Sequence, residues 1–382
     1  MQPIKLFIAG DFCPVGRNEE PFSAGIYDAV EAVKPLMKDA DFRIVNLEAP
    51  LTDAALPIIK TGPNIKASPK TVCALRYLNI DLVTMANNHI LDFGQAGVQD
   101  TLNLCYDNHI QTVGAGMNLS SARKPHTLLL KGRRIAILNF AENEFCAATS
   151  DTAGASTVNP IANFYDIAAA KKENDLVIVI AHGGREHYQL PTPQQRERFR
   201  FYADAGADLV VGHHTHCFSG YEIYNGKPIF YSLGNFIFDY KKKYQKGKWT
   251  EGYAVMFSIG DEISFELIPF KQGREENPAL TLLNDEEKVL FFNQIADLNK
   301  TITDDNLFTQ KWEKYLSSQD LNYISMVTIQ NKYLRAAVNK KLLPYYPLHS
   351  REHLLLLLNL LRCETHREIT VDILSKKLEH ER

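Results

Sequence analysis

Short runs of Val, Ile and Leu alternate with longer amphipathic stretches over the first two-thirds of the chain. Residues 6–9, 42–46, 81–85, 135–139, 176–181 and 208–211 form the apolar runs. Several are continuous, which is how strands buried on both faces of a sheet read. Between them, residues 23–37, 68–77, 94–106, 161–172 and 192–205 are spaced like helices. Ser68-Pro69 and Thr192-Pro193 have the form of an N-cap followed by a first-turn proline, and Gly206 stands where a left-handed C-cap is wanted. After Phe218 the texture changes. Tyr221-Glu222-Ile223-Tyr224, Asn225-Gly226 and Pro228-Ile229-Phe230-Tyr231 read as a hairpin, and residues 252–259 and 263–270 flank a second turn at Gly260-Asp261. The basic stretch 241–248 reads as an exposed loop. From about residue 280 the pattern is helical. These patterns predict an α/β domain over residues 1–275 and a helical C-terminal region over 276–382.

Composition adjusts this picture only slightly. A length of 382 residues allows two to three domains. The hydrophobic fraction of 45% and charged fraction of 23% exclude a disordered or collagen-like chain. Lys and Arg number 42 against 45 Asp and Glu, a net charge of −3, so no strongly basic nucleic-acid binder is indicated. The longest greasy run, 354–361, is interrupted by Asn359 and falls well short of the about 20 residues a membrane span needs. It reads as a buried helix. The first apolar run starts almost at Met1 without a basic leader, and the six cysteines are scattered with no C-x-x-C pair. Both features predict a reducing, cytoplasmic setting.

The chemistry is concentrated where the apolar runs stop. They end in Gly10-Asp11, Asn46-Leu47-Glu48, Asn87-Asn88-His89 with Asp92 beyond, His182-Gly183-Gly184, and Gly212-His213-His214-Thr215-His216. In an open α/β sheet, ligands bind beyond the carboxyl ends of the strands. Five strand ends would then deliver carboxylates, an amide oxygen and imidazoles to one edge. That donor set suits a divalent ion such as Mn, Fe or Zn, with Mg as a further option. Each residue taken singly also fits a turn, a cap or a structural hydrogen bond; the series of five carries the metal reading.

Together with Arg17, Asp92-Phe93-Gly94, Arg185-Glu186 and Tyr231-Ser232-Leu233-Gly234-Asn235-Phe236, these motifs resemble CapA-type capsule and poly-γ-glutamate synthesis proteins. Those proteins lie within the calcineurin-like metallophosphoesterase superfamily. The resemblance covers about residues 4–240. It implies a metallophosphatase-like four-layer α/β/β/α sandwich, here followed by the C-terminal helical appendage, with one or two divalent metal ions at the strand ends. Carried over, Asp11, Glu48 and His216 would hold one ion, and Glu48, Asn88, His182 and His214 the other. His89 would be the general acid, oriented by Asp92. Arg17, Glu186 and Asn235 are the expected substrate-side residues, with metal contact a further role for Glu186. His214 and His216 are taken as the ligand pair; a register using His213 is the alternative. His109, His126 and His187 are read as structural.

The chain departs from the superfamily pattern in three places. Asp11-Phe12-Cys13 lacks the usual histidine, Glu48 stands where an aspartate is usual, and Gly183 replaces a tryptophan, opening space beside His182. The first two changes weaken the first metal position. The resulting expectation is a metal-dependent hydrolase acting on a phosphoester or an anionic polymer such as poly-γ-glutamate. The alternative is a non-catalytic, metal-dependent binding subunit of a capsule assembly system. The C-terminal helices could mediate self-association or contact with capsule machinery.

Overall fold

The computed structural model describes residues 2–329, 331–344, 350–362, 370–371 and 374. Two sheets dominate the first compact unit, Met1–Phe308. In the larger, Ile4–Phe12, Phe42–Leu47, Leu82–Thr84 and Gln111–Val113 lie parallel. On the edge of Ile4–Phe12 away from Phe42–Leu47, Asn235–Ile237 pairs in parallel with its end, and the antiparallel hairpin Glu251–Ile259 and Ile263–Lys271 pairs with its start. In the smaller, Arg133–Ala141, Leu176–His182 and Leu209–His213 are parallel neighbours. The hairpin Tyr221–Tyr224 and Lys227–Phe230 and the strand His126–Leu130 flank them.

Successive side chains of a strand leave on opposite faces, and here both faces are buried. Ile4, Leu6, Ile8, Ile44 and Leu82 of the larger sheet pack with Ile135, Ile137, Ile178, Ile180, Leu209 and Val211 of the smaller, so the sheets face each other. Phe7, Ala9, Val45 and Val83 point the other way, onto the helices Val72–Tyr77 and Gly94–Asp107. Ala136, Leu138, Val177 and Val179 do the same beneath the helices Pro160–Glu173 and Pro193–Ala205. This two-sided burial explains why the strands read as continuous apolar runs.

The local signals act as expected. Ser68 and Thr192 cap their helices through their side chains, and Gly206 ends one at φ +126°. Asn225 and Gly226, both at positive φ, turn the hairpin. The reading of 23–37 as a helix is corrected: it folds as two 3₁₀ turns, Asp28–Val30 and Lys34–Met37. Gly25 at φ +80° interrupts any longer helix, and Pro35 disfavours the α conformation in the residue before it.

The compact unit runs past residue 275. Helix Asp285–Thr303 belongs to it, with the Phe291 ring 5.0 Å from Phe218 and the Asn299 side chain accepting the Tyr221 N–H at 2.7 Å. The second unit, Thr309–Arg382, contains the rest of Asp305–Thr328, then Lys332–Asn339 and Arg351–Arg362. Most of the expected C-terminal region after residue 362, including Cys363, lies outside the described residues. Among the described residues no helix is long and apolar enough to cross a membrane.

Candidate metal centre

Both sheets turn their parallel carboxyl ends to one place. Asp11 sits at the end of the first strand, in register with Asn46 on one side and Asn235 on the other. That close pairing needs Gly10, where a Cβ would fall 1.8 Å from the Gly234 carbonyl oxygen. Glu48 follows directly on Phe42–Leu47, and Asn88 and His89 come just after Leu82–Thr84. His182 closes its strand, and His214 and His216 follow Leu209–His213. The last two adopt φ of +94° and +54°, a strained backbone for non-glycine residues. That backbone aims both rings into the cleft instead of continuing the strand.

At the centre is Glu48, fully buried, with neither carboxylate oxygen receiving a hydrogen bond. His182 Nε2 lies 3.5 Å from Glu48 Oε1, 3.1 Å from His214 Nδ1 and 2.9 Å from Asn88 Oδ1. Four donors around one tetrahedral ion at about 2.0–2.1 Å are separated by about 3.3 Å, so this spacing fits a shared cation. A second group combines Asp11, Glu48 and His216, with one ligand atom each within 4.8 Å of the others. It has three donors and is wider: His216 Nε2 is 3.7 Å from Glu48 Oε1. Glu48 belongs to both groups.

The electrostatics favour a cation. Burial, then the neighbouring Asp11 carboxylate, push the Glu48 carboxyl well above its ordinary range. Burial likewise pulls His182 well below the usual imidazole range, helped by His214 and His213. It lowers His216 to about 3 despite Asp11. These two imidazoles therefore stay neutral and keep a lone pair for a metal. The neighbouring amides orient the ligands. Asn235 donates through Nδ2 to the Trp249 carbonyl, so its Oδ1 accepts the His216 Nδ1–H at 2.9 Å and leaves Nε2 as the donor atom. Asn46 Nδ2 donates to Asp11 Oδ1 at 2.8 Å and lies 3.2 Å from His182 Nδ1.

Beside this cluster, His89 Nδ1 is 2.7 Å from Asp92 Oδ2. Asp92 also accepts the Ile65 N–H and pairs with the Lys60 ammonium. The substrate-side residues fare differently. Asn235 is in place as the His216 partner. Glu186 is half-buried, 3.9 Å from His187 Nε2, and is among the charges that raise Glu48. Arg17 has its guanidinium committed to buried Asp239 through Nε and Nη2, both at 2.8 Å, and to the carbonyls of Glu275 and Arg274. These bonds brace segments far apart in the chain. The space expected beside Gly183 is filled, since a Cβ there would lie 2.5 Å from Glu142 Cγ. Cys13 is buried in the apolar core and joins neither donor group. His213 is buried with both ring nitrogens unpartnered, its Nδ1 3.9 Å from Asp11 Oδ1.

Sequence reasoning missed four residues here. Asn46 shares the face of Glu48 by strand alternation, a signal that was available. His187 was read as structural. Its exposed ring is 5.6 Å from Tyr244 and 6.4 Å from His216, at the rim of the site. Trp249, 4.3 Å from His216 in the short 3₁₀ turn Gly247–Thr250, and Lys60, on irregular backbone, have no periodicity to mark them.

The family described as "Bacterial capsule synthesis protein PGA_cap" matches residues 5–240. The chain is 36% identical over 211 residues to the PGA biosynthesis protein CapA of Bacillus subtilis, covering 54% of this chain and 56% of that one. It is 30% identical over 253 residues to a probable polyglutamine synthesis accessory protein of Mycobacterium tuberculosis, covering 61% and 67%. The match thus spans about half the length of the Bacillus relative. A crystal structure of a hypothetical protein from Thermus thermophilus aligns over 70% of this chain and 99% of its own, at 14% identity and a TM-score of 0.43. The family match extends over more than half of the chain and takes in every strand end that feeds the cluster, and the chain belongs to the bacterial capsule synthesis protein PGA_cap family.

Proposed function

We propose that this protein is a metal-dependent hydrolase of the calcineurin-like metallophosphoesterase type, acting on a phosphoester or on an anionic polymer such as poly-γ-glutamate in capsule synthesis. One observation carries the reading. Glu48 is buried without a hydrogen-bond donor, and five further metal-ligand side chains converge on it. Two facing sheets with helices on both outer faces support the four-layer sandwich that this type implies.

Glu48, Asn88, His182 and His214 would hold one divalent ion, and Asp11, Glu48 and His216 a second. Nitrogen and oxygen donors without thiolate favour Mn, Fe or Zn, with Mg as a further option. An ion held there supplies Lewis-acid polarisation of a phosphoryl or carbonyl oxygen and makes water more acidic. The chain's own residues do the rest. Asp92 accepts the His89 Nδ1–H, so His89 Nε2 faces the leaving group and, in the doubly protonated ring, is the atom that would deliver the proton. Asn235 and Asn46 keep His216, His182 and Asp11 oriented.

The test combines elemental analysis of protein purified without chelator or histidine tag with two hydrolysis assays. These use bis-p-nitrophenyl phosphate and poly-γ-glutamate of defined length. Glu48→Gln and Asn88→Ala should lose bound metal. His89→Ala should keep it and lose on the order of a hundredfold in turnover. Hydrolysis unchanged in all three variants rejects the assignment.

The wider, three-donor Asp11–Glu48–His216 group favours a second reading, a metal-dependent binding subunit that does not cut. Metal-loaded protein that retains poly-γ-glutamate without shortening it, and hydrolyses neither substrate, would select that reading.

A further inference from the structure

Lys60 belongs to the irregular segment between Leu51 and Ala67, which crosses from one strand end to the next helix with no periodic pattern. Its side chain is only 4% exposed. The ammonium pairs with Asp92 Oδ1 and lies 3.4 Å from both the Asn88 carbonyl oxygen and His89 Nδ1. Those two residues are the proposed metal ligand and the proposed proton donor, so one buried cation touches both.

The donor inventory determines what this contact does. An ammonium donates and cannot accept. Asp92, fully buried, receives the Ile65 N–H at 2.7 Å and faces His89 Nδ1 at 2.7 Å. Lys60 supplies a countercharge directly beside this buried carboxylate. A carboxylate paired with an ammonium only accepts, so His89 Nδ1 carries the hydrogen at the 2.7 Å contact and Nε2 is left for the cleft.

We propose that Lys60 is a positioning residue of this site: by pairing with Asp92 it fixes the ring orientation and tautomer of His89. Its catalytic consequence rests on the hydrolase reading; the tautomer itself does not. Without Lys60, Asp92 is a buried carboxylate with no cation beside it, and its hydrogen bond no longer specifies one His89 nitrogen.

The experiment uses full-length protein labelled with ¹⁵N-histidine, loaded with diamagnetic zinc, alongside kinetics on bis-p-nitrophenyl phosphate. In the unmodified chain the His89 nitrogens should show the Nδ1–H tautomer. Lys60→Met should shift them toward a tautomer mixture and lower kcat on the order of tenfold to a hundredfold, with KM and zinc stoichiometry within about twofold of the parent. Lys60→Arg, which keeps the charge, should recover the parent spectrum and most of kcat. If Lys60→Met does not fold, Lys60→Gln takes its place as the uncharged variant. Parent-like His89 nitrogens in the uncharged variant overturn the proposal, whatever the kinetics show. Absence of hydrolysis in the unmodified chain counts against the hydrolase reading instead, and the nitrogen spectrum still decides the role of Lys60.

Discussion

Glu48 shows how one residue can make a fold wait for an ion. A buried carboxylate beside Asp11, with no donor, is destabilising until a cation arrives. Without added metal, Glu48→Gln should therefore melt at the same temperature as the parent or higher. Adding Mn or Zn should raise the parent's melting temperature by mass action and leave the variant almost unmoved; differential scanning fluorimetry across a metal titration reads both. Arg17 illustrates the opposite case. Its fork holds Asp239, which is fully buried, so Arg17→Ala should cost about 3 kcal/mol or more by stranding that carboxylate. Urea denaturation should record the loss, and KM for an anionic substrate should stay unchanged. Arg200 holds the buried Glu222 in the same bidentate way, at 2.9 and 2.8 Å. In each pair the sequence shows a surface-type arginine, and only the partner, distant along the chain, reveals the brace.

At the level of elements, local chemistry was legible wherever it acts over a few residues. Proline-backed caps, the Asn225-Gly226 turn and the Gly206 stop all depend on neighbours in sequence. The segment 23–37 was not legible, because apolar spacing alone does not separate a helix from successive 3₁₀ turns. The short strands Gln111–Val113 and Asn235–Ile237 were also missed, since each exists only through pairing with a longer strand. Helix Asp285–Thr303 opens with a reciprocal cap between Asn284 and Glu287. The Lys271 ammonium, then the Asn284 N–H, hold the Glu287 carboxyl below its ordinary value of 4.5. A depressed folded value contributes stability above the unfolded one and loses it as pH falls through the folded one. Glu287→Gln keeps the cap acceptor without the charge. Its stability, followed by circular dichroism, should therefore change less than the parent's between about pH 5 and pH 3.

Across the whole molecule, the site draws only on Met1–Phe308, and the hydrophobic layers that hold it are complete within that unit. A chain ending at Phe308 should fold and bind metal with the stoichiometry of the full protein; an unfolded product or a lost metal signal would contradict this. The strand runs, their abrupt polar ends and the kinds of donor they carry were set by the sequence alone, because burial on two faces and turn chemistry are written in neighbouring residues. The meeting of those ends was decided only by the tertiary structure. Parallel pairing within each sheet and the packing of one sheet on the other bring Asp11, Glu48, Asn88, His182, His214 and His216 together from segments far apart in the chain. Lys60 reaches the site on irregular backbone and Trp249 on a single 3₁₀ turn, neither of which periodicity could forecast, and Arg17 is engaged by a carboxylate 222 residues distant. Local sequence encodes which groups a strand end carries, whereas long-range packing determines what each group faces.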